Sequence, residues 1–534
     1  MSDASAPAAP AAPAQKIPWL GLTAVLFGTF ISTLNGRLST FGLSDIRGAM
    51  HAGFDEGAWI TSAQSVAQML IAPVAVWAGA AYGPRRVLIG AALAFAAFST
   101  LTPLSPNLPT LLALQFLGGL ASGFFVPLTL SFVLRAMPPK YWAYGIAVYA
   151  LNLELSLNIA ASLEGWYSEH LSWRWIFWQN VPLAIGMALF LHWGIARTPP
   201  GPDRPPTDLF GLASLGGGLA LIYAGLDQGN RLDWLNSGVV IALLASGAVL
   251  VAAFFVHEAT IKNPLIDLKV VFAKPMPRLL LLIAFLRLTI LSTAYLIPQY
   301  LQAVRGYRAI EVGNTLLWIA APQLVLCPLA AVMLRRLDSR LVSSIGFICV
   351  SIACVLVARG LTPLWGSDQF LPSQLLQSIG QSFALSGIVF FGILHLKPQD
   401  ALTFGSTLQV ARLMGGEVGL AFITTLTRVR TQTASNLIGL HVQTGDPAVL
   451  QRLSSYAAIA RRSDPDPVSA AARAATILGN AVRSSAATEG IIDAFVVVGG
   501  LTVLALMLAV AHRPAPIGPA SHLPLFSSRR EANP

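Results

Sequence analysis

Charge is scarce in this chain: only 11% of its 534 residues are Asp, Glu, Lys or Arg, against about a quarter in an average soluble domain. That scarcity excludes a water-soluble surface over most of its length. The three cysteines, Cys327, Cys349 and Cys354, all lie in apolar stretches without ligand spacing, which excludes a disulfide scaffold and leaves them as small core residues. No GxxxxGK[ST] phosphate loop is present, so ATP is excluded as the direct energy source. The apolar stretches lack period-two alternation, which excludes a membrane barrel. No metal or cofactor is expected, and the chain does not read as an enzyme.

What the chain does contain is 55% hydrophobic residues, arranged in blocks of about twenty, the length a helix needs to cross some 30 Å of hydrocarbon. These blocks predict an all-α integral membrane protein of about fourteen spans, at 19–40, 57–80, 85–103, 108–136, 141–165, 174–196, 208–228, 235–257, 279–303, 312–334, 341–361, 369–396, 402–428 and 489–512. The net charge of +10 sits in the loops between blocks, so it reads as membrane topology and excludes a nucleic-acid face. With the N-terminus inside, Arg85, Arg86, Arg135, Arg197, Arg204, Arg335, Arg336 and Arg340 fall on the cytoplasmic side, as the positive-inside rule requires. All six lysines, Lys16, Lys140, Lys262, Lys269, Lys274 and Lys397, fall there too. Residues 1–18 and 513–534 are expected to be cytoplasmic tails, the first of them disordered, and 429–488, too polar to span and rich in Ala and Arg, an external loop domain with a helix near 466–486.

Several stretches carry a resemblance. WRWIFWQNVP (Trp173 to Pro182) is the most specific; Trp59 with Pro73, NPLIDL (263–268), PQYLQAVRG (298–306), RLDSR (336–340) and RLMGGEVG (412–419) accompany it. Together they resemble the fourteen-helix drug:proton antiporters of the major facilitator superfamily, the EmrB/QacA type, over nearly the whole chain. The resemblance implies a major facilitator fold: an N-terminal six-helix bundle (19–196), two extra central helices (208–257) and a C-terminal six-helix bundle (279–512). It implies a bacterial cytoplasmic membrane, a small-molecule substrate bound near the midplane with alternate access by rocking, and an adaptor protein in the periplasm as a possible partner.

Three motifs depart from that family. Where its first helix has an acid, this chain has Asn35, with Arg37 two residues later; where its fourth helix has an arginine, Gln115 stands; and its GPxxGG signature corresponds to AASLEG, in which only Gly165 survives and Glu164 replaces a glycine. Proton coupling therefore has to rest on other groups. Ionisable side chains in a span cost about 2.5–3.5 kcal/mol each on insertion scales and mark function by default. Those here are Arg37, Glu154, Glu164, Arg287, Arg412 and Glu417.

Glu154, Glu417 and Glu164 are the candidate proton carriers, with Asp227 and Asp493 at helix ends behind them. Arg37, Arg287 and Arg412 are the candidate charge partners or substrate contacts, and an Arg37–Glu154 pair across the N-terminal bundle is the expected device. Asn35, Gln64, Gln68, Gln115, Asn152, Asn158 and Gln409, with Trp318, Tyr295 and Tyr300, are candidate cavity residues. His192, His257 and His395 read as helix-end residues. The leading functional reading is proton-driven efflux of amphipathic drugs or toxic compounds. Export of a specific anionic metabolite, aromatic acid or siderophore is one alternative, and a nontransporting scaffold or receptor is the other.

Overall fold

The computed structural model describes residues 19–138, 141–195, 208–261, 271–272, 276–395, 401–443, 445–462 and 466–512. The two tails, all six lysines and the NPLIDL stretch lie outside the described residues. Among those residues, thirteen helices are long and apolar enough to cross a bilayer. A fourteenth, Ala401–Leu440, falls short on hydropathy because it carries Arg412, Glu417 and a run of threonines.

In chain order the helices are α1 Trp19–Phe41, α2 Phe54–Tyr82, α3 Pro84–Leu101, and α4, built of Leu108–Ser122 and Phe125–Ala136. Next come α5 Trp142–His170, α6 Asn180–Gly194, α7 Leu209–Gly229, α8 Gly238–Thr260 and α9 Met276–Ala303. The last five are α10 Ala309–Arg336, α11 Ser339–Gly360, α12 Leu371–Leu394, α13 Ala401–Leu440 and α14 Pro467–Val510. Helices α1 to α6 pack among themselves, as do α9 to α14. The two bundles meet where α5 packs along α10 and where α13 packs on α2 and α4. The pair α7 and α8 joins them through α7 alone, which lies on α2 and α13.

Two close backbone approaches fix this arrangement. A Cβ on Gly165 would lie 2.4 Å from the Ile310 backbone N, and one on Gly313 2.4 Å from the Ser162 backbone N, so α5 and α10 touch main chain to main chain, as small residues permit in membranes. Similarly, a Cβ on Gly216 of α7 would lie 2.3 Å from the Leu70 carbonyl oxygen of α2, whereas one on the next residue, Gly217, meets only Leu250 Cδ1 at 3.7 Å. Gly216→Ala should lower the thermal midpoint in detergent by the equivalent of about 1–3 kcal/mol of overpacking, and Gly217→Ala should leave it unchanged.

The stretch 429–488 holds more helix than the segment expected near 466–486. Helix α13 has 40 residues and α14 has 44, about 60 and 66 Å of helix against a core of about 30 Å. Each therefore continues as one rod well beyond the bilayer. Asp466 starts α14 by accepting the Ser469 N–H at 2.9 Å, and the Ala-rich turn that follows has high helix propensity. Arg430 and Asp493 pair at 2.5 Å where the rods leave the spanning region, and a short helix, Pro447–Ala460, packs on α14.

Candidate functional site: a charged cavity between the bundles

A cavity of about 980 Å³ lies between the two bundles. Its mouth is formed by the α1–α2 turn at Leu43 to Arg47, the end of α5 at Ser168 and Glu169, and the start of α10 at Tyr307 to Ile310. All of these belong to the end of the molecule opposite the helix ends Trp19 and Val510. Toward the termini the bundles are sealed. Ser406 Oγ donates to the Ala72 carbonyl at 2.8 Å, Arg335 donates to the Tyr144 hydroxyl at 2.7 Å, and a Cβ on Gly405 would lie 2.5 Å from the Pro127 carbonyl oxygen. The cavity is open at one end only.

Arg37, Arg287, Arg412, Glu164 and Glu417 line it, as do Gln64, Gln68 and Tyr295. None of the three arginines takes part in an ion pair among the described residues. Arg412 Nε donates to Gln409 at 3.1 Å, and Arg287 Nε is buried without a partner. The expected Arg37–Glu154 pair is not formed. Arg37 instead crosses to the other bundle, donating to the Ala294 carbonyl at 2.8 Å with its guanidinium 5.1 Å from the Phe41 ring centre. Glu154 turns the other way and sits behind the cavity, where Arg287 and Arg412 are the basic groups whose charge acts on it.

The acceptor for Arg37 is made by the sequence of α9. Pro298 has no N–H, so the bond that would run from residue 298 to the Ala294 carbonyl cannot form. Just upstream, Thr289, Ser292 and Thr293 turn their hydroxyls onto carbonyls three residues earlier, at 2.8, 2.8 and 3.0 Å, competing with the helical ladder. The result is a π-turn over Ser292–Leu296, a feature that recurs at functional sites. A Pro298→Ala change restores a donor for Ala294. Arg37→Gln should then cost less stability in the Pro298→Ala background than alone, with a coupling of about 0.5–3 kcal/mol, the range for residues in contact, read from detergent unfolding of the four proteins.

Helix α7 supplies Tyr223, which sequence reasoning missed, and Asp227, which it ranked behind Glu417. Tyr223 and Asp227, one turn apart, both face the cavity. Tyr223 lines the cavity beside Ser65 and Glu417, Asp227 accepts from Ser62 of α2, and its charge acts on Glu417. The Tyr-x-x-x-Asp spacing was the available signal, since it puts both on one face. At the rim, Asn236 and then Arg428 hold the Asp233 carboxyl below its usual range.

Five of the expected cavity polars do not line it. Asn35 is turned into the N-terminal bundle, donating to Gln64 at 2.6 Å and accepting from Asn180 at 2.6 Å. Gln115 is buried in α4, Gln409 is engaged with Arg412, and Asn158 faces Gln323 and Gln381 in the other bundle. Asn152 is partly buried and outside the lining. Trp318 is 52% exposed on the outer surface, and Tyr300 donates to the Thr362 carbonyl at 2.6 Å in an aromatic cluster near the mouth. Helical phase could not choose among these faces.

Residues 25–420 match the Major Facilitator Superfamily. The chain belongs to that family. Major Facilitator Superfamily membership makes it a multi-pass membrane transporter of small molecules and not an enzyme. Among curated relatives it is similar to the multidrug export protein EmrB of Haemophilus influenzae, 26% identical over 403 residues, covering 75% of this chain and 79% of the relative. It is also similar to the fatty acid resistance protein FarB of Neisseria gonorrhoeae, 24% identical over 418 residues, covering 77% and 80%. Solved structures of like fold include a human organic anion transporter, MFSD10, with a TM-score of 0.54 at 16% identity, covering 93% of this chain and 100% of that one. An auto-inhibited peptide transporter of the POT family gives 0.55 at 14%, covering 93% and 97%.

Proposed function

We propose that this protein is a proton-gradient-driven exporter of amphipathic drugs and other toxic small molecules in a bacterial cytoplasmic membrane, with both termini in the cytoplasm, seen here open to the outside. The observation that carries the reading is the cavity of about 980 Å³, closed toward the termini, open at the other end and walled by unpaired charges. The basic loops on the terminal side and the export function in the names of several relatives support the same direction. Glu417, in contact with Tyr223 and near Asp227, is the cavity-side proton carrier, Glu154 is the buried one, and Glu164 lies closer to the mouth. Arg37, Arg287 and Arg412 receive the polar end of the substrate. With no carboxylate in hydrogen-bonded contact, they favour compounds bearing an acidic group.

The rods of α13 and α14 extend this proposal outward. Leu437, Leu440, Leu450, Ile459 and Val468 stay more than half exposed on that projection, a surface suited to an adaptor in the periplasm. The test of the whole reading is reconstitution. In proteoliposomes loaded with a fluorescent amphipath, flux toward the cavity-mouth side should rise when that side is acidified and fall to the protein-free rate when the gradient is collapsed. Equal flux with and without a gradient overturns the coupling, and no flux of any amphipath overturns export.

A further inference from the structure

The C-terminal bundle contains a second polar region, distinct from the cavity and used by nothing described so far. Along α12 the sequence SQLLQSIGQSFALS places Gln374, Gln377 and Gln381 at steps of three and four residues, followed by Ser382 and, four residues on, Ser386, a polar stripe about 18 Å long. All five are at most 2% exposed. They are buried between helices, where hydrocarbon excludes bulk water.

This stripe is only half satisfied by protein. Gln377 donates to Ser292 at 2.9 Å and Gln381 donates to Thr293 at 2.8 Å, both on the π-turn of α9. Gln381 accepts from Asn158 of α5 at 3.2 Å and from Gln323 of α10 at 3.3 Å. Both polar atoms of Gln374, Oε1 of Gln377, and the hydroxyls of Ser382 and Ser386 are buried with no nitrogen or oxygen partner, and so is Oε2 of Glu154. Orphaned buried polar atoms are expensive, about 1–3 kcal/mol each, and proteins satisfy them with ordered water where several polar groups converge. A cluster this dense in one bundle is a site for water.

The stripe also reaches Glu154. Asn158, which bonds Gln323 and Gln381, donates to the Glu154 carbonyl at 2.9 Å. Cys327 of α10 is within the influence of both Ser382 and the Glu154 carboxylate. Around that carboxylate the charged groups are Arg287 from α9 and Arg412 from α13, with Cys327 as the facing titratable thiol. Glu154 itself does not line the substrate cavity, so a proton needs another way to it.

We infer that the stripe on α12 holds a file of internal water molecules and that this file is the route by which protons reach Glu154, separate from the substrate cavity. The file is closed near the mouth by the cluster of Phe370 with Tyr300 and Trp365, whose ring centres lie 5.6 and 5.3 Å from that of Phe370. Substrate in the cavity and protons on their way to Glu154 thus use different spaces, which lets one be bound while the other is released. The inference rests on the proton-driven reading above.

Cys327 and Cys354 are built-in reporters, since both are fully buried and Cys354 lies 3.9 Å from Gln377 Nε2. X-ray radiolysis of the full-length protein in detergent modifies side chains next to bound water. Both cysteines should be labelled about tenfold faster than their burial allows, judged against Met69 and Met187, which are equally buried in the other bundle, once intrinsic reactivity is corrected with the urea-unfolded protein. Gln381→Leu, with Gln374→Leu as a second variant that removes two unpartnered atoms, should cut proton-driven flux about tenfold while leaving substrate-for-substrate exchange unchanged.

Labelling of the cysteines no faster than of the methionines overturns the inference, as does full proton-driven flux in both variants. Flux in the unchanged protein that ignores the gradient strikes instead at the proton-driven reading, and the labelling result stands apart from it.

Discussion

Glu154→Gln should abolish proton-driven transport while the protein still inserts, folds and binds substrate in its cavity. The reason is the pair of guanidinium groups, Arg287 and Arg412, whose charge acts on Glu154 from the cavity side and which form no ion pair with another acid among the described residues. Removing the acid takes away the carboxylate charge that acts on both buried cations and so raises the cost of keeping them buried. If that cost falls on one state of the cycle, the rate drops by about two orders of magnitude or more. The check is a pair of measurements on reconstituted protein: gradient-driven flux, expected near background, and substrate binding in detergent, expected within about threefold of the unchanged chain. Unchanged coupling in Glu154→Gln would shift the proton to Glu417 with Asp227, where Glu417→Gln is the matching experiment.

A side chain at Gly313 or Gly165 should be nearly as damaging, for a mechanical reason. The atoms that meet the new Cβ are backbone atoms of the facing helix, Ser162 N and Ile310 N at 2.4 Å. Neither can rotate out of the way as a side-chain tip would. Gly313→Leu should therefore separate α5 from α10 at the mouth, with a stability loss at or above the upper end of the usual overpacking range, about 3 kcal/mol. Since α5 and α10 are the long contact between the bundles, flux should fall about a hundredfold or more. The thermal midpoint and reconstituted flux read both effects, and a Gly439→Leu change, with open space around it, serves as the tolerant control.

The departures at Asn35 and Gln115 look different once the packing is known. Asn35 is not a cavity group with its acid removed; it holds α2 and α6 together through Gln64 and Asn180. Arg37, read as a cation that needed Glu154, donates instead to a carbonyl that Pro298 sets free. A backbone acceptor in another bundle, 257 residues away, leaves no trace in charge counting. The glutamines of α12 stand three and four residues apart in the sequence, but their meaning depends on α5, α9 and α10 closing around them.

What the sequence determined alone was the class of molecule and its spans. Apolar blocks of spanning length, basic residues between them and the WRWIFWQNVP stretch specify a fourteen-helix transporter, because the bilayer forces every segment to satisfy its backbone within itself and so makes each span a local property. In 429–488 only the helix near 466–486 was legible, since outside the bilayer helix or loop is settled by capping and by packing of α13 on α14. Which polar groups share a space was decided only by the tertiary structure. A helix fixes the angle between its own residues but not the direction in which its polar face points, so the grouping of Tyr223 and Glu417 at one cavity, the bond of Arg37 to Ala294, and the placing of Glu154 within the influence of two arginines arose from how the helices stack.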